Sequence, residues 1–97
     1  MKNIILPFIC FALISCGKKP ESNFTYSPQN PKAGQEVQFT NTSIDAKKYD
    51  WNLGNMKISS EDNPKNVYEN EGNYIIDLTA RNGLKTDVKT VTIKVNP

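Results

Sequence analysis

From Phe24 to the C-terminus, large apolar residues return at every second position, and nowhere does the three- and four-residue spacing of a helix persist. Period two marks strands that show one face to a core and the other to water. A chain patterned in this way can hide its apolar side chains only by pairing strands into one-sided sheets. Phe24 and Tyr26 begin the pattern, and Asn30-Pro31-Lys32-Ala33-Gly34 then supplies turn chemistry. Val37 and Phe39 alternate with Glu36, Gln38 and Thr40, while Tyr49, Trp51 and Leu53 alternate with Lys48, Asp50 and Asn52 and stop at Gly54-Asn55.

After a polar stretch, Asn63-Pro64 marks a turn, and a short strand covers Asn66 to Glu69. Beyond Asn70-Glu71-Gly72, Tyr74, Ile76, Leu78 and Ala80 face one way and Asp77, Thr79 and Arg81 the other. Asn82-Gly83 signals a hairpin. The last strand turns Val91, Ile93 and Val95 inward, and Val88, out of phase with them, is expected to mark a bulge. Short strands in this number, with one inward tryptophan midway, predict an all-β antiparallel sandwich of about seven strands rather than a barrel. At this size the core has to come from a short list of side chains, so a large enclosed active site is not expected.

The first residues do not belong to that pattern. Met1-Lys2-Asn3 is short and positive, and the apolar run Ile4 to Ile14, broken only by Pro7, is roughly eleven residues long, against the about 20 that a bilayer span needs. Such a run suits the apolar region of a secretory signal. It ends in Leu13-Ile14-Ser15-Cys16, which resembles the lipobox of bacterial lipoproteins. The resemblance implies cleavage after Ser15 and a diacylglycerol thioether on Cys16 Sγ, with further acylation of the new amino terminus; two or more acyl chains hold a protein stably on a membrane. Residues 1–15 then form the signal peptide, 16–23 the lipidated cysteine and a polar tether, and 24–97 the folded domain. A tether from Gly17 to Asn23 reaches at most about 25 Å, close enough for Lys18 and Lys19 to meet anionic headgroups.

Composition narrows the chemistry. Histidine is absent, which removes the commonest general base and transition-metal ligand. Both cysteines, Cys10 and Cys16, lie at the N-terminal segment, so the body holds no thiol for a disulfide, a zinc site or a nucleophile. The formal net charge is +2 with acids and bases interspersed, which gives no electrostatic case for nucleic acid. Asp45, Asp50, Glu61, Asp62, Glu69 and Glu71 are the carboxylates a hydrolase or a calcium site could draw on. They lack an activated partner and the dense Asp-x-Asp spacing of a cation loop. No catalytic residue, cofactor or metal site is expected. A glycan site would need an exposed aromatic, yet all seven aromatics of the body fall on faces assigned inward, Tyr68 being the best candidate among them for exposure.

In order along the body stand Pro31, Gly34, Val37, Phe39, Asn41 and Ser43, then Tyr49-Asp50-Trp51-Asn52-Leu53-Gly54-Asn55, then Asn63-Pro64, Tyr68, Gly72-Asn73-Tyr74, Leu78 and Asn82. This series resembles the PKD domain, an immunoglobulin-like sandwich. The family usually reads Trp-Asp-Phe-Gly-Asp-Gly, whereas here Asn52 and Asn55 replace the aspartates, Leu53 the phenylalanine and Met56 the second glycine. Losing two carboxylates weakens any calcium site, since hard cations favour charged oxygens. Trp51 is expected at the centre of the core, and Tyr74 where a tyrosine corner sits.

The expected function is that of a non-catalytic lipoprotein, anchored to a membrane through Cys16, whose PKD-like domain binds a protein or polysaccharide at the bacterial cell envelope. The outer membrane stands ahead of the inner, with the domain periplasmic or surface-exposed. The alternatives are a structural spacer or assembly subunit of an envelope complex and a carbohydrate-binding accessory module. Exposure of Tyr68, Met56 and Ile58 discriminates among them.

Overall fold

The computed structural model describes residues 17–97; the expected signal peptide and Cys16 lie outside them. Seven strands follow in order: β1 (Phe24–Ser27), β2 (Glu36–Asn41), β3 (Lys48–Asn52), β4 (Ile58–Ser59), β5 (Lys65–Val67), β6 (Gly72–Asn82) and β7 (Lys85–Val95). They form a three-stranded sheet, β1-β2-β5, and a four-stranded sheet, β4-β3-β6-β7. Every strand pair is antiparallel, and the described residues contain no helix. The all-β sandwich predicted from the alternation is the fold observed.

Side chains of alternating parity meet between the sheets. Val37 and Phe39 of β2 face Trp51 of β3, Ile76 and Leu78 of β6 and Ile93 of β7, all buried. Trp51 is 2% exposed and sits at the centre. Its ring meets Phe24 edge-on at 5.0 Å and Phe39 at 5.5 Å, arrangements that add to simple burial. The indole Nε1 donates to the Glu61 carbonyl at 2.8 Å, so the one polar atom of the ring is satisfied.

Four features correct or sharpen the sequence reading. First, β6 and β7 pair without interruption from Gly72↔Val95 to Asn82↔Lys85, so no bulge occurs at Val88. Val88 lies opposite Thr79 and is 54% exposed, because it keeps phase with the outward residues Thr86, Thr90 and Thr92 rather than with the core set. Second, β4 was hidden in the polar stretch: two residues are too few to show alternation, and Ile58 faces solvent. Third, Tyr68 keeps its inward assignment and is not the exposed aromatic a glycan site needs: it is only 1% exposed, with its hydroxyl donating to the Leu53 carbonyl at 2.6 Å.

The fourth departure concerns the segment read as a free tether. Glu21 and Ile44 exchange backbone hydrogen bonds of 3.0 Å, and Thr42 N donates to the Asn23 carbonyl at 2.9 Å. Pro20 and Ser22 are buried. Ser22 Oγ donates to the Leu78 carbonyl at 2.7 Å, and Ser22 N to Asp87 Oδ2 at 2.9 Å. A polar residue that reads as linker in the sequence thus joins β6 to β7 from outside the sheet.

Candidate binding face

The outward side of the four-stranded sheet carries the most organised surface. Strand register sets its side chains in rows, because residues opposite each other across a ladder point to the same side. Ile58, Asn52, Asp77 and Thr90 make one row, and Asp50, Thr79 and Val88 the next, followed by Lys48, Arg81 and Thr86. Arg81 Nε donates to Asp50 Oδ2, and Thr90 Oγ1 donates to Asp77 Oδ1 at 2.6 Å. A shallow groove of about 590 Å³ lies over β3, β4 and β6, bordered by Asp50, Asn52, Ile58, Ser59, Asp77 and Thr79. A second hollow of about 320 Å³ continues toward Lys47, Lys48, Asp62 and Arg81.

Around this polar floor stand exposed apolar side chains: Ile58 on β4, largely open, and Ile75 near the start of β6 and Val88 on β7, each more than half exposed. The sequence reading singled out Ile58 as a residue whose exposure would be informative; it took the phase of Val88 for a bulge and did not place Ile75. Their signal was available, since both share parity with the polar residues of their strands and are out of step with the core residues.

The motif residues behave as architecture. Gly54 has φ +87°, and a Cβ there would come within 2.7 Å of the Ile75 carbonyl oxygen, so β6 leaves no room for a side chain. Asn52 Oδ1 accepts from Gly54 N at 3.1 Å, an Asx turn that closes β3. Asn55 Nδ2 donates to the Val67 carbonyl at 3.2 Å, and its Oδ1 accepts from Asn66 Nδ2 at 2.9 Å, tying the turn across to β5 in the other sheet. The left-handed position beyond Gly54 falls on Met56, at φ +68°, and its side chain is fully exposed. Each amide in place of an aspartate therefore holds the turn together with neutral hydrogen bonds.

Tyr74 donates to the Asn70 carbonyl, four residues back, at 2.8 Å, which is the geometry of the expected tyrosine corner. It packs on Tyr68 with ring centroids 4.6 Å apart. Burial pushes the Tyr68 hydroxyl above the usual tyrosine range, outweighing its hydrogen-bonded contact with Asn66. Among the described residues every aromatic ring is buried or half-buried, so none offers an open platform for a sugar.

The acidic residues weighed for calcium are spread over the molecule. Asp50 engages Arg81 on the sheet. Asp62 borders the second hollow, while Asp45 occupies the β2–β3 loop at φ +57°. Among the described residues no group of three or more acidic, cysteine or histidine side chains converges on a point that could hold a metal. Cys16, the expected lipid-attachment residue, lies outside the described residues. Its neighbours do not: Lys85 Nζ donates to the Gly17 carbonyl at 3.0 Å and Asn82 Nδ2 to the Lys18 carbonyl at 2.9 Å, which fixes that end of the chain against the β6–β7 hairpin.

Comparison with known proteins agrees with this architecture. The sequence profile of the PKD domain matches residues 17–95. The PKD1 domain of Vibrio anguillarum Epp superposes with a TM-score of 0.71 at 29% identity, over 82% of this chain and 96% of its own. The PKD1 domain of the Vibrio cholerae metalloprotease PrtV gives 0.69 at 29% identity, over 82% and 100%. A carbohydrate-binding module from the β-sandwich superfamily, studied for its promiscuous specificity, gives 0.77 at 28% identity, over 81% of this chain and 35% of its own. The chain thus spans about a third of the length of that structure. Among curated protein sequences none matches.

Proposed function

The chain belongs to the PKD domain family, and from that premise we propose that it is a non-catalytic binding module, anchored by lipid on Cys16 at the bacterial cell envelope, that holds a protein partner on the outward face of its four-stranded sheet. One observation carries the choice of face: Ile58, Ile75 and Val88 stand exposed around a floor of paired polar groups, Asp50 with Arg81 and Asp77 with Thr90. Apolar contacts that exclude water around hydrogen-bonding groups are how protein interfaces gain both affinity and register. The absence of histidine and, in the folded body, of any cysteine supports a binding role over a catalytic one.

A second reading, polysaccharide recognition, draws on the likeness to a carbohydrate-binding module. The hydrogen-bonding groove suits sugar hydroxyls, while the burial of Tyr68 and Trp51 speaks against the stacking that usually anchors a sugar ring. The two readings separate in one experiment. The purified lipoprotein and an Ile58→Glu/Val88→Glu variant are passed over detergent-solubilised envelope and over a glycan array. A specific envelope protein retained by the native chain and lost by the variant, with both melting alike, is the expected result. Retention of a glycan that both chains bind equally would overturn the protein reading, and retention of neither would leave a spacer.

A further inference from the structure

We propose that the β6–β7 hairpin tip is a second membrane contact: Leu84 enters the anionic phospholipid bilayer that carries the Cys16 lipid, with exposed lysines around it meeting the headgroups. The inference rests on the lipid-anchor reading above and adds to it an orientation for the domain.

Three observations point the same way. The first is position: Gly17 and Lys18 are hydrogen-bonded through their carbonyls to Lys85 and Asn82, the residues that flank the loop Gly83-Leu84. Cys16 is one peptide unit, about 3.8 Å between Cα atoms, from Gly17. An acyl chain rooted there brings the bilayer surface to the hairpin, because no slack remains between the anchor and the tip.

The second is composition. Leu84 is fully exposed, and Gly83, at φ +63°, already supplies the positive φ that a two-residue loop of this kind needs at its first position. Turn geometry therefore asks nothing apolar of position 84, and nothing within the described residues covers it. Ile44, on the loop beside the same segment, is also exposed. The third is charge. Lys18, Lys19, Lys47, Lys48 and Lys85 are all exposed at this end. Of the acids nearby, Asp50 holds Arg81 and Asp87 is engaged by Ser22 N beside Lys19, which leaves Glu21 and Asp45. An apolar tip ringed by lysines matches the interface between headgroups and acyl chains. At the opposite end Met56 is equally exposed but lies beyond the far end of β3 from the anchor.

The test uses the native processed lipoprotein in vesicles of equimolar phosphatidylethanolamine and phosphatidylglycerol. Once Cys16 is acylated and Cys10 removed with the signal, Leu84→Cys offers the chain's single free thiol for an environment-sensitive fluorophore, and Met56→Cys serves as the control. The expected result is a blue-shifted emission at position 84 that nitroxide-labelled lipids quench, with neither change at position 56. Quenching at neither position, while the protein still floats with the vesicles, overturns the hairpin contact and leaves the lipid anchor standing. Failure to float, with an intact mass showing unmodified Cys16, overturns the anchor and the hairpin contact together.

Discussion

The two ends of the sandwich are closed by turns that look alike on the surface and differ in how they are held. The β3–β4 turn and the β6–β7 hairpin each carry one fully exposed apolar side chain, Met56 and Leu84. The first turn is held from all sides: Gly54 presses on the β6 backbone, Asn52 closes the strand, and Asn55 reaches the other sheet. The hairpin is held by its own ladder and by the side chains of Asn82 and Lys85 on the Gly17–Lys18 segment, with open space around Gly83. The difference teaches where the family pattern is a packing requirement and where the chain is free to vary. Residues of the Trp51-to-Asn55 motif are tied into the fold, whereas position 84 is available for a contact outside the molecule.

Substitutions can break that contrast or sharpen it. The largest effect is expected at Trp51, whose ring fills the centre between the sheets: Trp51→Ala costs about 3 to 5 kcal/mol, enough to abolish a cooperative melting transition in a domain of this size. An unchanged transition would mean that the motif is not anchored in the core. Gly54→Ala comes next. It combines a positive φ with a Cβ placed 2.7 Å from a backbone oxygen, and we expect a loss of about 2 to 4 kcal/mol by denaturant titration. Gly83→Ala meets no neighbour and bears only the left-handed conformation, at about 1 kcal/mol. Equal losses at the two glycines would erase the distinction drawn between the turns.

Tyr68 supplies a pH test of the closed end. Burial raises its pKa in the folded state, so the folded protein holds its proton more tightly than the unfolded chain does. That contribution is complete below the ordinary tyrosine pKa of about 10 and is lost as pH climbs through the raised folded value. Thermal stability should therefore fall more steeply above about pH 10 in the native chain than in Tyr68→Phe. The variant itself should lose about 1 kcal/mol at neutral pH, because the Leu53 carbonyl is left without its donor. The smallest effect is predicted at Leu84. Leu84→Ser should leave stability within about 0.5 kcal/mol of the native chain, as expected where a side chain touches nothing.

Most of the sandwich was legible because parity carries the information: Val37, Phe39, Trp51, Ile76, Leu78 and Ile93 alternate with polar residues and are all buried. The tyrosine corner at Tyr74 was legible for a second reason, a recurring local geometry with a recognisable place in the strand order. What could not be read was interaction at a distance. Ser22 looks like linker until Leu78 and Asp87, more than fifty residues away, are brought beside it. Tyr68 was assigned inward with the other aromatics, but the partners that bury it, Leu53 and Tyr74, come together only in the fold. Val88 was misjudged by comparing it with the core residues of β7 alone, when the opposite strand's Thr79 decides which way it faces. The binding face belongs to the same class: its rows exist only once β3, β4, β6 and β7 are in register.

The Ser22 clamp also has a mechanical meaning. A pull on the chain from its N-terminal side does not begin by peeling β1 away from its three-stranded sheet. It is met first by the Gly17 and Lys18 carbonyls held on the β6–β7 hairpin and then, one residue after Glu21, by a hydroxyl and an amide that grip the two longest strands at once. Load then passes directly into the sheet whose outward side carries the groove, and the smaller sheet is spared until that grip gives way.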